Sequence, residues 1–431
     1  MHPQHNEAAA LLENGALYNR RVGLSREGRD VVFAGFKQGA FSLYFGDTPA
    51  FHYDLEGRWQ RAYFRDRHHI RRLDGAIHEV DREHEDGELV LRRRILPPDE
   101  SRTMDEVLRV AAADLLADLD REGLERVAPP ADKARILDDA ELRAFLARIA
   151  AWDARAWADF DARFRRVYQP LTFVPPDVPL AVLLQATVGR RDEWVFARCN
   201  DRELAARTPE EFDAHVAEVV ELLGSRLVQN RSAFLAGADV LRQPAGHVLG
   251  YLDVIARRLR NEGGPTVDNV HAFLDGFQKP AIDRETLRQA RERRLSRIAL
   301  GVESGAPEVR RLYDKRWNDS DLQTFAADAK AAGIELSVLT LVGAGGKARG
   351  AEHVERTRAL IESLQLARGD LVFLMDEREL ADPACAPGGC EPFDPAEWRE
   401  QLERLRQGLS TLRARGVKVV PYSMVKQYAC H

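Results

Sequence analysis

From Val182 to Met375 the chain alternates six times between short apolar runs and helical stretches, and few folds can absorb that pattern. The runs are VLLQATV (182–188), SAFLAGAD (232–239), VDNVHAFL (267–274), RIALGVES (297–304), IELSVLTLVG (334–343) and DLVFLM (370–375). Helices are expected between them over 208–223, 245–261, 283–293, 319–332 and 350–366. Apolar runs of strand length, without in-and-out alternation, read as strands buried on both faces. Repeated strand–helix–strand units imply right-handed crossovers and a parallel sheet. The pattern alone leaves two architectures open, a partial barrel and a doubly wound sheet. A final helix over 394–415 and a strand in VKVVPYSM are expected beyond it.

Upstream the periodicity is different. VVFAGF, AFSLYF, AFHYDL, WQRAYF, AIHEV and ELVLRRRIL are parted by the turn formers QG, GDTP, EGR, RLDG and EDGE. Short aromatic strands at this spacing predict a small antiparallel module over Gly23 to Pro97. Residues 1–20 read as an amphipathic lead. His52, His68, His69, His78 and His84 lack ligand spacing, so no metal is expected there. The basic stretch FRDRHHIRR (64–72), with aromatics nearby, could meet phosphates, but a plain charged surface is the simpler reading, because acidic residues crowd both sides of it. His69, Arg71 and Arg72 look like a solvated strand or turn. Thr103 to Arg166 is helical, with Val107, Leu108, Val110, Leu115, Leu116 and Leu119 at 3–4 spacing. Pro129-Pro130 interrupts the run. Leu142, Phe145, Leu146, Ile149, Trp152, Trp157 and Phe160 are expected to pack in a core. YQPLTFVPPDVP (168–179) is a Pro-rich connector that excludes helix.

The composition narrows the function classes. A net charge of −6 over 431 residues gives no global attraction to nucleic acid or anionic membranes. No apolar run approaches the ~20 residues of a bilayer span. The amino terminus shows no signal-peptide pattern, and four cysteines are too few for a disulfide scaffold. A cytoplasmic setting is the expectation.

Several motifs resemble the radical S-adenosylmethionine (radical SAM) superfamily in order and spacing. They are Tyr168-Gln169-Pro170, Pro175-Pro176, VLLQATVG, LGVESGAPEV (300–309) and AGIELSVLTLVGAGG (332–346), followed by EHVERT. The likeness runs from about Tyr168 to Met375, and more faintly to PYSMVKQY. It implies an α/β fold, a partial (β/α)6 TIM-like barrel of the radical SAM type, preceded by a small antiparallel β module and a helical segment. The expected domains are the β module (1–100), the helical segment (101–167), the barrel (168–380) and a loop, helix and strand extension (381–431).

In radical SAM proteins the loop after the first strand carries C-x3-C-x2-C. Its three thiolates hold a [4Fe–4S] cluster whose fourth iron binds the amino and carboxylate groups of S-adenosylmethionine (SAM). Aligned on Gly189 and Phe196, those positions here are Arg190, Trp194 and Ala197. Arginine is not deprotonated in proteins and tryptophan offers only an N–H donor, so neither can bind iron. The resemblance therefore implies the frame of a cluster loop without its ligands, and no [4Fe–4S] cluster is expected there. Cys199, with Cys385 and Cys390 in ADPACAPGGCEP, could form a relocated site, alone or with Cys430 or His431.

The same resemblance implies a SAM pocket at three strand ends. One is Ala236-Gly237-Ala238-Asp239, another is Glu303 with Ser304, and the last is the Gly343-Ala344-Gly345-Gly346 turn. Gly237, Asp239, Glu303, Ser304, Gly343, Gly345 and Gly346 are thus the candidate cofactor-binding residues; no catalytic residue or metal ligand is assigned. Asp239, Asp275, Glu303, Asp376 and Glu377 would line the carboxyl ends of the strands, where a barrel keeps its ligands. The plainer alternative is that these glycines and Glu303 only shape the rim. Three functions stay open. The chain is a radical-SAM-fold protein without radical chemistry that binds a small molecule or a partner protein. It is an active enzyme, with non-radical SAM chemistry or a cluster on relocated cysteines. Or it is an interaction module acting through its β domain.

Overall fold

In the computed structural model of the protein, the described residues are 20–26, 30–37, 39–85, 88–121, 124–127, 135–169, 181–189, 203–261, 264–265, 267–278, 282–380 and 391–422. They fall into two units. The first takes residues 20–167 and 220–229, the second 168–219 and 230–422.

Unit 1 is built on a ten-stranded sheet. Its strands are β1 (Arg20–Arg26), β2 (Asp30–Lys37), β3 (Ala40–Phe45), β4 (Ala50–Asp54), β5 (Trp59–Phe64), β6 (Arg67–Arg71), β7 (Ile77–Glu85) and β8 (Glu88–Ile95). Each is antiparallel to the next in chain order. The short β9 (Glu125–Val127) and β10 (Arg135–Ile136) both pair with β1. The module is thus larger than the aromatic runs alone predict, because its first strand, RRVGLSR, is charged at both ends and lies partly before Gly23.

Among the described residues unit 1 carries the helices α1 (Pro98–Asp120), α2 (Asp139–Ala150) and α3 (Ala154–Val167). Helix α1 buries Met104, Leu108, Ala112, Leu115 and Leu119, a single stripe at 3–4 spacing. Val107, Val110 and Leu116 are only half-buried, since one helix face alone can meet the core. The Asp138 carboxylate accepts from the Glu141 N–H at 2.8 Å and so starts α2 where its apolar stripe begins. Phe36, Phe41 and Phe145 pack ring on ring at 4.5–4.9 Å between sheet and helix.

The basic stretch at 64–72 differs from expectation. His69 and Arg71 are both buried, because the alternation of β6 turns them to the inner face together. Burial lowers the His69 pKa, and Glu79 stands 3.2 Å from its Nε2; the Arg71 charge is met by Asp105, 3.0 Å from Nε.

Unit 2 holds a seven-stranded sheet, all parallel, in chain order. Its strands are β11 (Val182–Gln185), β12 (Ser232–Ala236), β13 (Asn269–Leu274), β14 (Leu295–Glu303), β15 (Glu335–Val342), β16 (Leu371–Asp376) and β17 (Lys418–Tyr422). Neighbours pair Leu183 with Phe234, Arg297 with Glu335 and Leu374 with Pro421. Every residue of β11 is buried, as are all but the first of β15. This is the signature of strands covered on both faces. The predicted six runs are all strands of this sheet, and β17 adds a seventh.

The crossovers carry α4 (Pro209–Leu223), α5 (Ala245–Arg258), α6 (Arg284–Glu292), α7 (Pro307–Leu312), α8 (Asp319–Ala331), α9 (Gly346–Ser363), α10 (Glu377–Leu380), α11 (Pro395–Gly408) and α12 (Ser410–Ala414). Asn318 and Asp394 close capping boxes on α8 and α11. The single helix expected over 394–415 is split at Leu409 into α11 and α12. Among the described residues no helix is long and apolar enough to cross a membrane.

Candidate functional site

The carboxyl ends of β12 to β16 carry the ionisable residues that the sequence placed there. At the end of β14 the strand slips register between Gly301 and Glu303, and Glu303 takes a left-handed φ of +55°. That conformation is costly for a non-glycine residue. The Glu303 carbonyl accepts from Thr340 Oγ1 at 2.8 Å. Gly301 leaves the room this requires: a Cβ there would stand 2.9 Å from Asp275 Cβ and from Phe273 Cζ.

Lys315, from the segment between α7 and α8, enters this space. Its Nζ lies 3.0 Å from Asp275 Oδ2 and 3.3 Å from Glu303 Oε1, and its side chain is 4% exposed. Burial works against the Lys315 charge, but Asp275 and Glu303 more than offset it and raise its pKa. Burial pushes Glu303 up to about 7, against the pull of Lys315 and with the help of Asp275. Glu303 Oε2 is buried and has no hydrogen-bond partner. An acceptor in that condition is destabilising until a donor reaches it.

Nearby strand ends join the same constellation. Tyr313, two residues before Lys315, donates its hydroxyl to Glu377 Oε1. Burial raises the Glu377 pKa, and the Tyr313 bond opposes the shift. Gly343 lies against Glu377, since a Cβ on it would be 3.1 Å from Oε2. Asp376 pairs with Arg378 at 2.7 Å. On the other side, Asp239 has φ +53° and stands 3.5 Å from Arg242, whose Nη1 would lie 2.9 Å from a Cβ on Gly276. Gly237, with φ +119°, admits no side chain: its Cβ would fall 2.2 Å from Thr187 Oγ1.

The structure therefore gathers Asp275, Glu303, Gly343 and Glu377 around Tyr313 and Lys315, with Asp239 beside Arg242. The remaining candidates are turned to internal duties. Ser304 is fully buried; its Oγ accepts from the Ala306 N–H at 3.0 Å and meets His353 Nδ1 at 2.8 Å. The Leu341 carbonyl, 2.9 Å from His353 Nε2, can only accept, so that nitrogen carries the proton and Nδ1 accepts from Ser304. Burial pushes His353 down to about 4, which keeps the ring neutral. The Gly343 amide donates to Gln401 Oε1 at 2.6 Å, and the Gly346 amide to the Gly343 carbonyl at 3.1 Å. Gly345, at φ +80°, is the N-cap of α9. Those glycines shape the turn, and the amides of Gly343 and Gly346 are already engaged.

Lys315, Tyr313 and Arg242 are the members that the sequence reading did not single out. Arg190, Trp194, Ala197 and Cys199, and likewise Cys385, Cys390, Cys430 and His431, lie outside the described residues. Among the described residues no group of three or more His, Cys, Asp or Glu is arranged to hold a metal.

Seven parallel strands in chain order, helices on their crossovers and charged groups at the carboxyl ends define an α/β protein of the partial-barrel class. No protein-family profile matches the chain, and no curated protein matches it either. Solved structures similar to it include three of note. Coproporphyrinogen III oxidase (HemN) from Escherichia coli, described as a radical SAM enzyme, is 12% identical with a TM-score of 0.38; the match covers 54% of this chain and 53% of that one. The radical SAM methyltransferase TsrM from Kitasatospora setae is 14% identical, TM-score 0.34, covering 45% of this chain and 36% of that one. SuiB from Streptococcus suis is 10% identical, TM-score 0.40, with coverages of 83% and 71%. The chain thus spans about half the length of HemN and just over a third of TsrM.

Proposed function

We propose that unit 2 binds a small molecule of the nucleoside type, with SAM as the first candidate, at the carboxyl ends of β12 to β16. In this reading the radical chemistry of radical SAM proteins is absent. The observation that carries it is Glu303 Oε2, a buried acceptor without a donor beside a buried ammonium. A ribose hydroxyl or an α-ammonium would satisfy that oxygen, and a carboxylate would compete with Asp275 and Glu303 for Lys315. The side chains present fit such a ligand. The sequence of the 190–197 loop does not fit a three-thiolate cluster, because Arg190, Trp194 and Ala197 supply no thiolate. When bound, SAM would supply an electrophilic sulfonium; the chain's own part is to hold the ligand and to set the protonation of Glu303.

Two measurements test this. Calorimetry with SAM and with S-adenosylhomocysteine should give saturable binding that Glu303→Gln weakens. No heat and no thermal shift at millimolar ligand would remove this site from consideration. Anaerobically purified protein should contain neither iron nor acid-labile sulfide. Stoichiometric amounts of both would instead place a cluster on other cysteines. A second reading, an enzyme with non-radical chemistry, is favoured by Glu303 alone: a carboxyl held near 7 can both give and take a proton at neutral pH. Turnover of SAM that is lost in Glu303→Gln would select it.

A further inference from the structure

Unit 1 contains a cleft of about 690 Å³ between the β6–β7 turn, the first turns of α1 and one face of α3. Its floor is Arg71, whose side chain is 4% exposed. The guanidinium lies 3.5 Å from the centre of the Trp157 ring, and Nε donates to Asp105 Oδ1 at 3.0 Å. The same Asp105 oxygen accepts from Trp59 Nε1 at 2.6 Å. Arg71 is thereby fixed in place, and most of its charge is taken up by Asp105.

Helix α3 supplies the wall with Trp157 and Asp161, four residues apart and so on one face, a turn apart. Trp157 is 5% exposed, yet its indole nitrogen has no hydrogen-bond partner; Asp161 Oδ1 is also buried without one. The contact of Asp161 Oδ1 with Arg71 Nη2, at 3.9 Å, is too long for a hydrogen bond. Other carboxylates of the cleft are engaged: Asp74 with Arg72 at 2.5 Å, and Glu106 with Arg109 at 2.6 Å. Gly75 lets the β6–β7 turn press on Asp161, since a Cβ there would stand 3.0 Å from its Oδ2. Burial raises the pKa of Asp161, Arg71 and Arg165 opposing it, with Asp105 and Asp74 adding to the rise. The negative charge of the cleft is therefore under-compensated at one residue.

A buried acceptor without a donor and a buried donor without an acceptor, one helical turn apart, call for a ligand that carries both groups. We propose that this cleft binds an α-amino amide, the chemistry shared by a peptide amino terminus and a free amino-acid amide. Its ammonium donates to Asp161, and its carbonyl oxygen accepts from the Trp157 indole N–H. A free carboxylate in place of the amide would bring a second negative charge beside Asp161, whereas Asp74 and Asp105 are already paired with Arg72 and Arg71. Arg165 and Arg102 also line the cleft; Arg102 is paired with Asp99, so the ammonium competes with Arg165 for Asp161.

The test titrates the full chain at pH 7 with alaninamide, N-acetylalaninamide and tri-alanine amide in a calorimeter. An α-amino group with a pKa of about 8 is mostly charged at that pH. Both free amines should bind saturably and the acetylated compound should not. Asp161→Asn should weaken binding about tenfold or more. Trp157→Phe, which keeps a ring beneath Arg71, should weaken it several-fold. Tighter binding of tri-alanine amide than of alaninamide would identify a peptide terminus as the ligand, and equal binding a free amide; either result supports the site. Absence of saturable heat with both amines would overturn it, leaving water as the partner of these groups. Equal affinity for the acetylated compound, or unchanged affinity in Asp161→Asn, would overturn it too. The acetylation contrast is read on the wild-type chain and so does not depend on either variant folding.

Discussion

Each unit buries a cation between two carboxylates, and the two arrangements come out differently. In unit 2 the Lys315 ammonium is shared almost evenly, at 3.0 and 3.3 Å from Asp275 and Glu303. In unit 1 the Arg71 guanidinium is shared unevenly, at 3.0 Å from Asp105 and 3.9 Å from Asp161. The side chains explain the contrast. Ammonium is a compact point charge on a flexible stem and can settle between two acceptors. Guanidinium is planar, and here its plane is committed to the Trp157 ring. A shared ammonium makes a hub whose charge state can be altered by whatever joins it. A stacked guanidinium makes a rigid floor and leaves one acceptor unserved.

Substitutions can break that contrast, and the largest effect is expected at the hub. Lys315→Met would leave the buried Glu303 and the half-buried Asp275 facing each other without a cation, which should cost about 3–5 kcal/mol. Urea unfolding checks it, and a loss below ~1 kcal/mol would mean that Asp275 and Glu303 rehydrate or take up protons. The pH dependence comes next. Glu303 holds its proton up to about 7 in the folded protein, against 4.5 when unperturbed. The folded chain thus binds more protons between those values, so the Glu303 contribution is full below about 4.5 and is lost as pH rises through 7. The stability of wild type relative to Glu303→Gln should therefore fall over that window, by at most ~3 kcal/mol. A flat difference would show Glu303 ionised throughout. His353, pushed down to about 4, has the opposite sign, its contribution being lost as pH falls through 4, but both proteins carry it. Smaller again is Arg71→Lys, which keeps the charge but loses the stacking and the fixed Nε bond. About 1–2 kcal/mol is expected, read by thermal unfolding. If Arg71→Lys costs as much as Lys315→Met, the distinction between floor and hub fails.

Much of unit 2 was legible because its signals are local. Buried strands are uninterrupted apolar runs, and their ends carry Gly237, Asp239, Asp275, Glu303, Gly343 and Glu377 in plain view. Lys315 was not legible: it lies in an irregular segment, YDKRW, and only the fold brings it to Asp275, forty positions away in sequence. The start of α9 was read four residues late, since glycine-rich sequence disguises a helix whose N-cap needs positive φ. In unit 1 the basic stretch was misjudged by summing charge along the chain. Strand alternation sent His69 and Arg71 inward, and their partners Glu79 and Asp105 come from 10 and 34 positions away. Ser304 was legible as a strand-end hydroxyl, but its engagement with His353 depends on a residue 49 positions on.

The linear strand order of unit 2 has a consequence for how copies of this chain behave in concentrated solution. A sheet that runs from β11 to β17 without rejoining itself has two outer strands, and among the described residues neither is paired on its far side. Unpaired strand edges are templates for adding another chain. Here both are short, four residues for β11 and five for β17, and β17 contains Pro421, which has no amide hydrogen to offer. Growth of the sheet from one molecule to the next is thereby discouraged at the β17 edge, where the half-exposed Val420 would otherwise invite it.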